Sequence, residues 1–129
     1  MFHAVLFAQA SRSIWDGVYT AEQAKRGADL YRKQCASCHG EALEGKGQTP
    51  PLAGDDFTST WNGQKLADLF DRIQISMPAD HPGTLRREQN ADIVAYLLSY
   101  GKFPAGQSEL GNDPEILDRI RFETERPKN

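Results

Sequence analysis

Cys35, Cys38 and His39 stand together in the pentapeptide Cys35-Ala36-Ser37-Cys38-His39. Two thiols three residues apart lie on one helical turn. They reach two vinyl groups on neighbouring edges of a porphyrin and can form a thioether with each. A histidine directly after the second cysteine lies beneath the iron and offers it an imidazole nitrogen. C-x-x-C-H is accordingly the attachment signature of a c-type haem. Other chemistries use parts of it. A thioredoxin-like redox pair needs βαβ surroundings, and the sequence shows no strand pattern. A structural zinc site needs four ligands, and the remaining histidines, His3 and His81, do not form a pair. A chance match is the third alternative, and the rest of the chain weighs against it.

A second ligand is sought further on. Met77 is the one internal methionine. A lone methionine beside a helix end ordinarily fills core, but downstream of a haem motif it is a sixth-ligand candidate. Pro78 has no N–H and a fixed φ, and it sets the turn that aims the sulfur. The rival is His81, flanked by Asp80 and Pro82 and reading as a solvated loop residue. Between motif and methionine, Thr49-Pro50-Pro51-Leu52-Ala53-Gly54 is rigid and apolar. A backbone carbonyl from it is suited to accept the other ring N–H of His39, fixing its tautomer.

The elements that must position these groups read as helices. Thr20 and Gln23 make a T-x-x-Q capping box, opening a helix from about Ala21 to Gln34 that ends at the haem motif. Gly27 and Tyr31 share a face with Ala24, and the glycine permits a close helix crossing. Gly40 to Trp61 reads as one long loop punctuated by glycine and proline, of a length that wraps something functional. Leu66, Leu69, Phe70 and Ile73 place an amphipathic helix over Gln64 to Ser76, with Asp68, Asp71 and Arg72 facing water. Ile93, Tyr96, Leu97 and Tyr100 mark another over Arg87 to Tyr100, stopped at Gly101. Trp15 and Tyr19 pack on the domain. From Phe103 the chain is an extension, with a short helix capped by Asp113 with Pro114 at its first position. Ile116, Leu117 and Ile120 dock it, and a mobile charged end begins at Thr124.

The 129 residues fit one domain, whose modest hydrophobic share of 39% leaves part of the core to a large apolar cofactor. Net charge is −3 with no basic stripe, which argues against nucleic acid. Both cysteines lie in the motif, so no structural disulfide is available. Met1 to Ala10 (MFHAVLFAQA) reads as the remnant of a secretory signal ending in an A-x-A pattern. It is too short to span a bilayer. The expected division is 1–10 signal remnant, 11–102 redox domain and 103–129 extension.

Taken together, Thr20 to Tyr100 resembles a class I cytochrome c of the bacterial monohaem type. Gly27 and Tyr31 match the glycine and aromatic of the N-terminal helix, Pro50-Pro51-Leu52 the P-x-L segment, and Met77-Pro78 the distal M-P. Asp92 to Leu97 matches the C-terminal helix that crosses the first. Trp-Asp-Gly-Val-Tyr-Thr at 15–20, with Phe103-Pro104-Ala105-Gly106, is similar to cytochromes linked to quinoprotein (PQQ) dehydrogenases.

The resemblance implies an all-α cytochrome c fold, three main helices and long loops around one covalently bound haem c. Cys35 and Cys38 would be its anchors, with His39 and Met77 as axial ligands. It implies Pro50 and Leu52 as the segment beside the histidine, and Trp61 as a loop aromatic that bonds a haem propionate.

The function expected is one-electron transfer by a non-enzyme in the periplasm. Redox proteins are the partners: a dehydrogenase, an oxidase or another cytochrome complex. The alternatives are a haem subunit fixed in a larger respiratory or photosynthetic complex, and a peroxidase-like or gas-sensing protein whose distal ligand dissociates. The expected contact edge is Ala36, Ser37, Leu43 and Pro78.

Overall fold

The computed structural model describes residues 11–128. The expected signal remnant, His3 included, lies outside the described residues. The architecture is all-α apart from one minimal ladder. A 3-10 turn at Ile14–Asp16 precedes six helices: α1 (Ala21–Gln34), α2 (Ala36–His39), α3 (Asp55–Trp61), α4 (Leu66–Ser76), α5 (Arg87–Tyr100) and α6 (Pro114–Asp118). Two-residue strands β1 (Arg12–Ser13) and β2 (Ile120–Arg121) pair in parallel, Arg12 opposite Ile120. The sequence offers no sign of this pairing, because two residues carry no alternation.

The α1–α5 crossing is the frame. A Cβ on Gly27 would lie 1.8 Å from the carbonyl oxygen of Asp92, so only glycine lets the two backbones approach this closely. Thr20 caps α1 as expected, its Oγ1 accepting from the Gln23 N–H at 3.1 Å. The reciprocal half of the capping box is not made. The Gln23 side chain turns instead to Leu110, donating to its carbonyl (3.0 Å) and accepting from its N–H (2.7 Å). It is almost wholly buried there. Asn90 ties α5 to α4, its Nδ2 donating to Phe70 O at 2.9 Å and to Gln74 Oε1 at 3.0 Å.

The long loop expected over Gly40 to Trp61 is shorter, because α3 occupies its last third. Asp55 and Asp56 in its first turn complement the N-terminal dipole. Phe57 and Trp61, four apart, bury one face. The helix expected from Gln64 begins at Leu66, after Lys65.

Residues 103–122 belong to the same core. Phe103, Leu110, Leu117, Ile120 and Phe122 are all buried, whereas Ile116, expected to dock, is 42% exposed. Phe122 packs edge-on against Phe57 (6.0 Å) and Phe103 (5.6 Å). The Gly106 N–H donates to Tyr19 O at 2.6 Å, and the Tyr19 hydroxyl donates to Phe103 O. A free end does not begin at Thr124. Its N–H donates to Asn62 Oδ1 (2.8 Å) and its hydroxyl to Thr58 O (3.2 Å), while the Trp15 indole N–H donates to Glu123 O (2.9 Å).

Candidate functional site

One cavity of about 910 Å³ opens between these elements, at the upper end of the ~300–1,000 Å³ range of cofactor sites. Cys35, Cys38, His39, Pro50, Leu52, Trp61 and Met77 all line it, and so does His81. The remaining wall includes Phe57 of α3, Leu69 and Ile73 of α4, and Ile93 and Leu97 of α5.

The attachment turn is set by a break in the helix. Cys35 closes α1 with φ −127° and starts α2, and Gly40 ends α2 with φ +94°. The single turn between them holds both cysteines and the histidine. Cys35 is half-buried and Cys38 exposed. Burial, and secondarily the neighbouring Cys38, pushes the Cys35 thiol up to about 11. Without its thioether it is a neutral thiol at physiological pH. Tyr31 is fully buried below this turn, its hydroxyl donating to Gly40 O at 2.7 Å. Burial raises its phenol above its ordinary value, with the Cys35 sulfur as the next cause.

His39 is buried, and its Nδ1 lies 2.8 Å from Pro50 O. A carbonyl can only accept, so Nδ1 carries a proton, and in the neutral tautomer that this fixes the lone pair is on Nε2. The loop that supplies Pro50 is pinned by Gly45 N–H to His39 O (2.7 Å) and Leu52 N–H to Leu43 O (2.9 Å). Trp61 is buried at the end of α3 rather than in a loop.

Met77 is the first residue past α4. Its backbone is extended (φ −120°, ψ 153°) and its N–H donates to Ile73 O at 2.9 Å. Its bond to Pro78 is cis. His81 is exposed, with Nδ1 3.5 Å from the Asp80 carboxylate. Of the four residues expected at a contact edge, only Ser37 is exposed. Ala36, Leu43 and Pro78 are buried, the first at the start of α2 and the other two apolar residues turned in from the chain that follows α2 and α4.

Arg72 is exposed to water as expected. Sequence reasoning did not place it at the rim of the cavity, where its guanidinium carbon lies 5.6 Å from the centroid of the Trp61 ring. Its position three residues after Leu69 and one before Ile73, both cavity residues, is the available signal.

The donor set fits haem c: two thiols and a free imidazole nitrogen on one turn, a thioether across the cavity's lining, and otherwise apolar walls. Fold and site together define a c-type cytochrome of class I. The family model described as cytochrome c oxidase, cbb3-type, subunit III matches residues 22–97, and the chain belongs to that family. Its cofactor is covalently bound haem c, with one attachment motif present, and its chemistry is electron transfer.

The cbb3-type cytochrome c oxidase subunit CcoP of Azospirillum brasilense is 29% identical, in a match that covers 59% of this chain and 30% of that protein. The chain thus spans less than a third of that relative. A chain in the crystal structure of the sulfane dehydrogenase SoxCD from Paracoccus pantotrophus is similar with a TM-score of 0.54 and 27% identity. That match covers 69% of this chain and 53% of that one.

Proposed function

We propose that this domain is a one-electron carrier whose single haem c is anchored by Cys35 and Cys38 and ligated by His39 and Met77. The observation that carries the reading is the convergence of both cysteines, a His39 ring braced by Pro50, and Met77 on one apolar cavity. When bound, the group supplies reversible one-electron chemistry between ferric and ferrous iron. The chain's residues supply the rest. Cys35 and Cys38 retain the cofactor. The Pro50 carbonyl orients His39 and makes Nε2 more basic. Met77 would hold the iron as its second protein ligand, and a thioether there would raise the reduction potential and leave no open position for a substrate. Leu52, Leu69, Ile73, Ile93 and Leu97 exclude water from the iron's surroundings, and Trp61 is the aromatic that bonds a haem propionate.

In this reading residues 11–102 carry the redox domain, 103–129 brace it, and 1–10 are an export-signal remnant of a periplasmic protein. No helix among the described residues is long and apolar enough to cross a membrane. The partners are redox proteins: a dehydrogenase, quinoprotein enzymes among them, or an oxidase.

Visible spectra of the oxidised, reduced and carbon monoxide-treated protein test the ligation. A c-type reduced spectrum, a weak far-red sulfur-to-iron band when oxidised, and no response to carbon monoxide are expected. Met77→Ala keeps covalent haem, loses the far-red band and gains carbon monoxide binding, whereas His81→Ala leaves the spectrum unchanged. A Met77→Ala spectrum identical to the parent's overturns the assignment. Carbon monoxide binding by the parent itself would favour the peroxidase-like or sensor reading.

A second reading is favoured by the names of the similar proteins, an oxidase subunit and a dehydrogenase. In it the domain is a fixed haem subunit of a larger complex. Gel filtration of the protein from its native membrane and soluble fractions separates the two: a shuttle elutes alone.

A further inference from the structure

The segment that carries Met77, residues 77–86, runs from the end of α4 to the start of α5. Its internal hydrogen bonds are local. His81 N–H donates to Pro78 O at 2.9 Å and the Thr84 hydroxyl to His81 O at 2.8 Å, while Gly83 N–H reaches Met77 O at 3.4 Å. The residues from Ala79 to Thr84 are all exposed.

A relay of two side-chain amides ties this segment to both helices. Asn90 of α5 is wholly buried. Its Nδ2 gives one proton to Phe70 O and the other to Gln74 Oε1. Gln74 Nε2 in turn donates to Leu85 O at 2.7 Å. The relay runs one way only. Phe70 O and Leu85 O are carbonyls and can only accept, so each amide must present its nitrogen where it does. Gln74 stands on the last turn before Met77, and Leu85, buried, stands near the far end of the segment. Beyond it Arg86 starts α5, its N–H donating to Gln89 Oε1 at 2.9 Å. One side chain thus holds the methionine segment at its entrance and draws its exit back to the same place.

Packing alone does not account for an amide at position 90. Asn90 Oδ1 is buried and has no hydrogen-bond partner among the described residues. Such orphaned polar atoms are uncommon in native proteins. A leucine would fill the place without one, but it would not fix the direction of Gln74. Asn90, Gln74 and Leu85 do not line the cavity, so the relay acts through Met77 and not on a bound group directly.

We propose that the Asn90–Gln74–Leu85 relay positions Met77 and so sets how readily the sixth position of ferric iron opens. The proposal rests on the reading of Met77 as the sixth ligand. A thioether is a soft, neutral donor, and it is held least by the harder ferric ion. There the place of the segment, more than the bond itself, keeps the sulfur on the iron.

The test is displacement of Met77 by imidazole in the ferric, haem-loaded full chain, followed through loss of the far-red sulfur-to-iron band. The bond from iron to the Met77 sulfur breaks, one from iron to an imidazole nitrogen forms, and no electron moves. At saturating imidazole the rate is that at which Met77 leaves. Gln74→Leu is expected to raise it about tenfold, the order of one hydrogen bond. Gln74→Glu raises it as much, because a carboxylate still accepts from Asn90 but has no proton for Leu85 O. Asn90→Leu, which frees the direction of Gln74, acts in the same sense. Gln23→Leu, which cuts an equally buried amide on α1, stays within about twofold of the parent.

A Gln74→Leu rate within about twofold of the parent overturns the proposal. So does an equal rise in Gln23→Leu, which would make opening a matter of general stability. A parental rate in Gln74→Glu also overturns it, since the bond between α4 and α5 would then suffice. If Asn90→Leu does not fold, the two variants of Gln74, which is only half-buried, decide the matter. Failure of the underlying reading is distinct: the ferric parent itself would then lack the far-red band.

Discussion

Gln23 and Leu110 hold each other by two hydrogen bonds, 3.0 and 2.7 Å, across 87 residues of chain. A side-chain amide here imitates one rung of a sheet and fastens the C-terminal segment to the first turn of α1. Gln23→Leu leaves both backbone groups of Leu110 without partners in a buried place. Each such group costs about 1–3 kcal/mol, so a loss of about 2–6 kcal/mol is expected in urea unfolding of the holoprotein, with the visible spectrum unchanged.

Gly27→Ala attacks the helix crossing. The added Cβ would meet Asp92 O at 1.8 Å and Asp92 C at 2.5 Å, both backbone atoms that cannot swing away. The helices must separate, at a cost of about 3 kcal/mol, the upper end of ordinary overpacking. Alanine's better helix propensity, about 1 kcal/mol, does not offset this. Thermal unfolding should show a lower midpoint in Gly27→Ala than in an exposed control such as Lys25→Ala.

Phe122→Ala empties a fully buried site between Phe57 and Phe103. A loss of about 3–5 kcal/mol follows from a cavity of this kind. Because Phe57 lines the haem cavity, near-ultraviolet circular dichroism of the aromatics should change along with stability.

Acid weakens one link of the brace. The Arg26 guanidinium holds the Glu109 carboxyl below its ordinary value of 4.5. A depressed carboxylate contributes stability that is fully present above its unfolded value and is lost as pH falls through its lowered folded value. Parent and Glu109→Gln should therefore differ in unfolding midpoint at pH 7 and converge in the acid range below 4.5. The effect is small, since both side chains are about half exposed.

Much of this was legible in the sequence, and what was not has physical causes. The α1 helix announced itself through a cap and α5 through an apolar face and a stop, all local signals. The His39–Pro50 contact followed once the family's P-x-L segment was recognised in Pro50-Pro51-Leu52. α3 was hidden by composition. Thr58 and Thr60 read as loop residues, yet inside the helix their hydroxyls bond back to Gly54 O and Asp56 O. The second partner of Gln23 and the β1–β2 pairing depend on residues about a hundred positions away, which no local period records. Arg72 faces water as its place at the edge of an apolar face suggests, but nothing local records that the same edge is the rim of the cavity.

The C-terminal brace acts on the haem cavity from behind. Among the described residues none beyond Leu97 lines that cavity, while residues 113–124 close on α3 and the N-terminal strand. Phe122 backs Phe57, and Phe57 is itself a wall of the cavity. Loosening the segment would therefore slacken one wall while every lining side chain stayed on the part of the chain that carries the attachment motif.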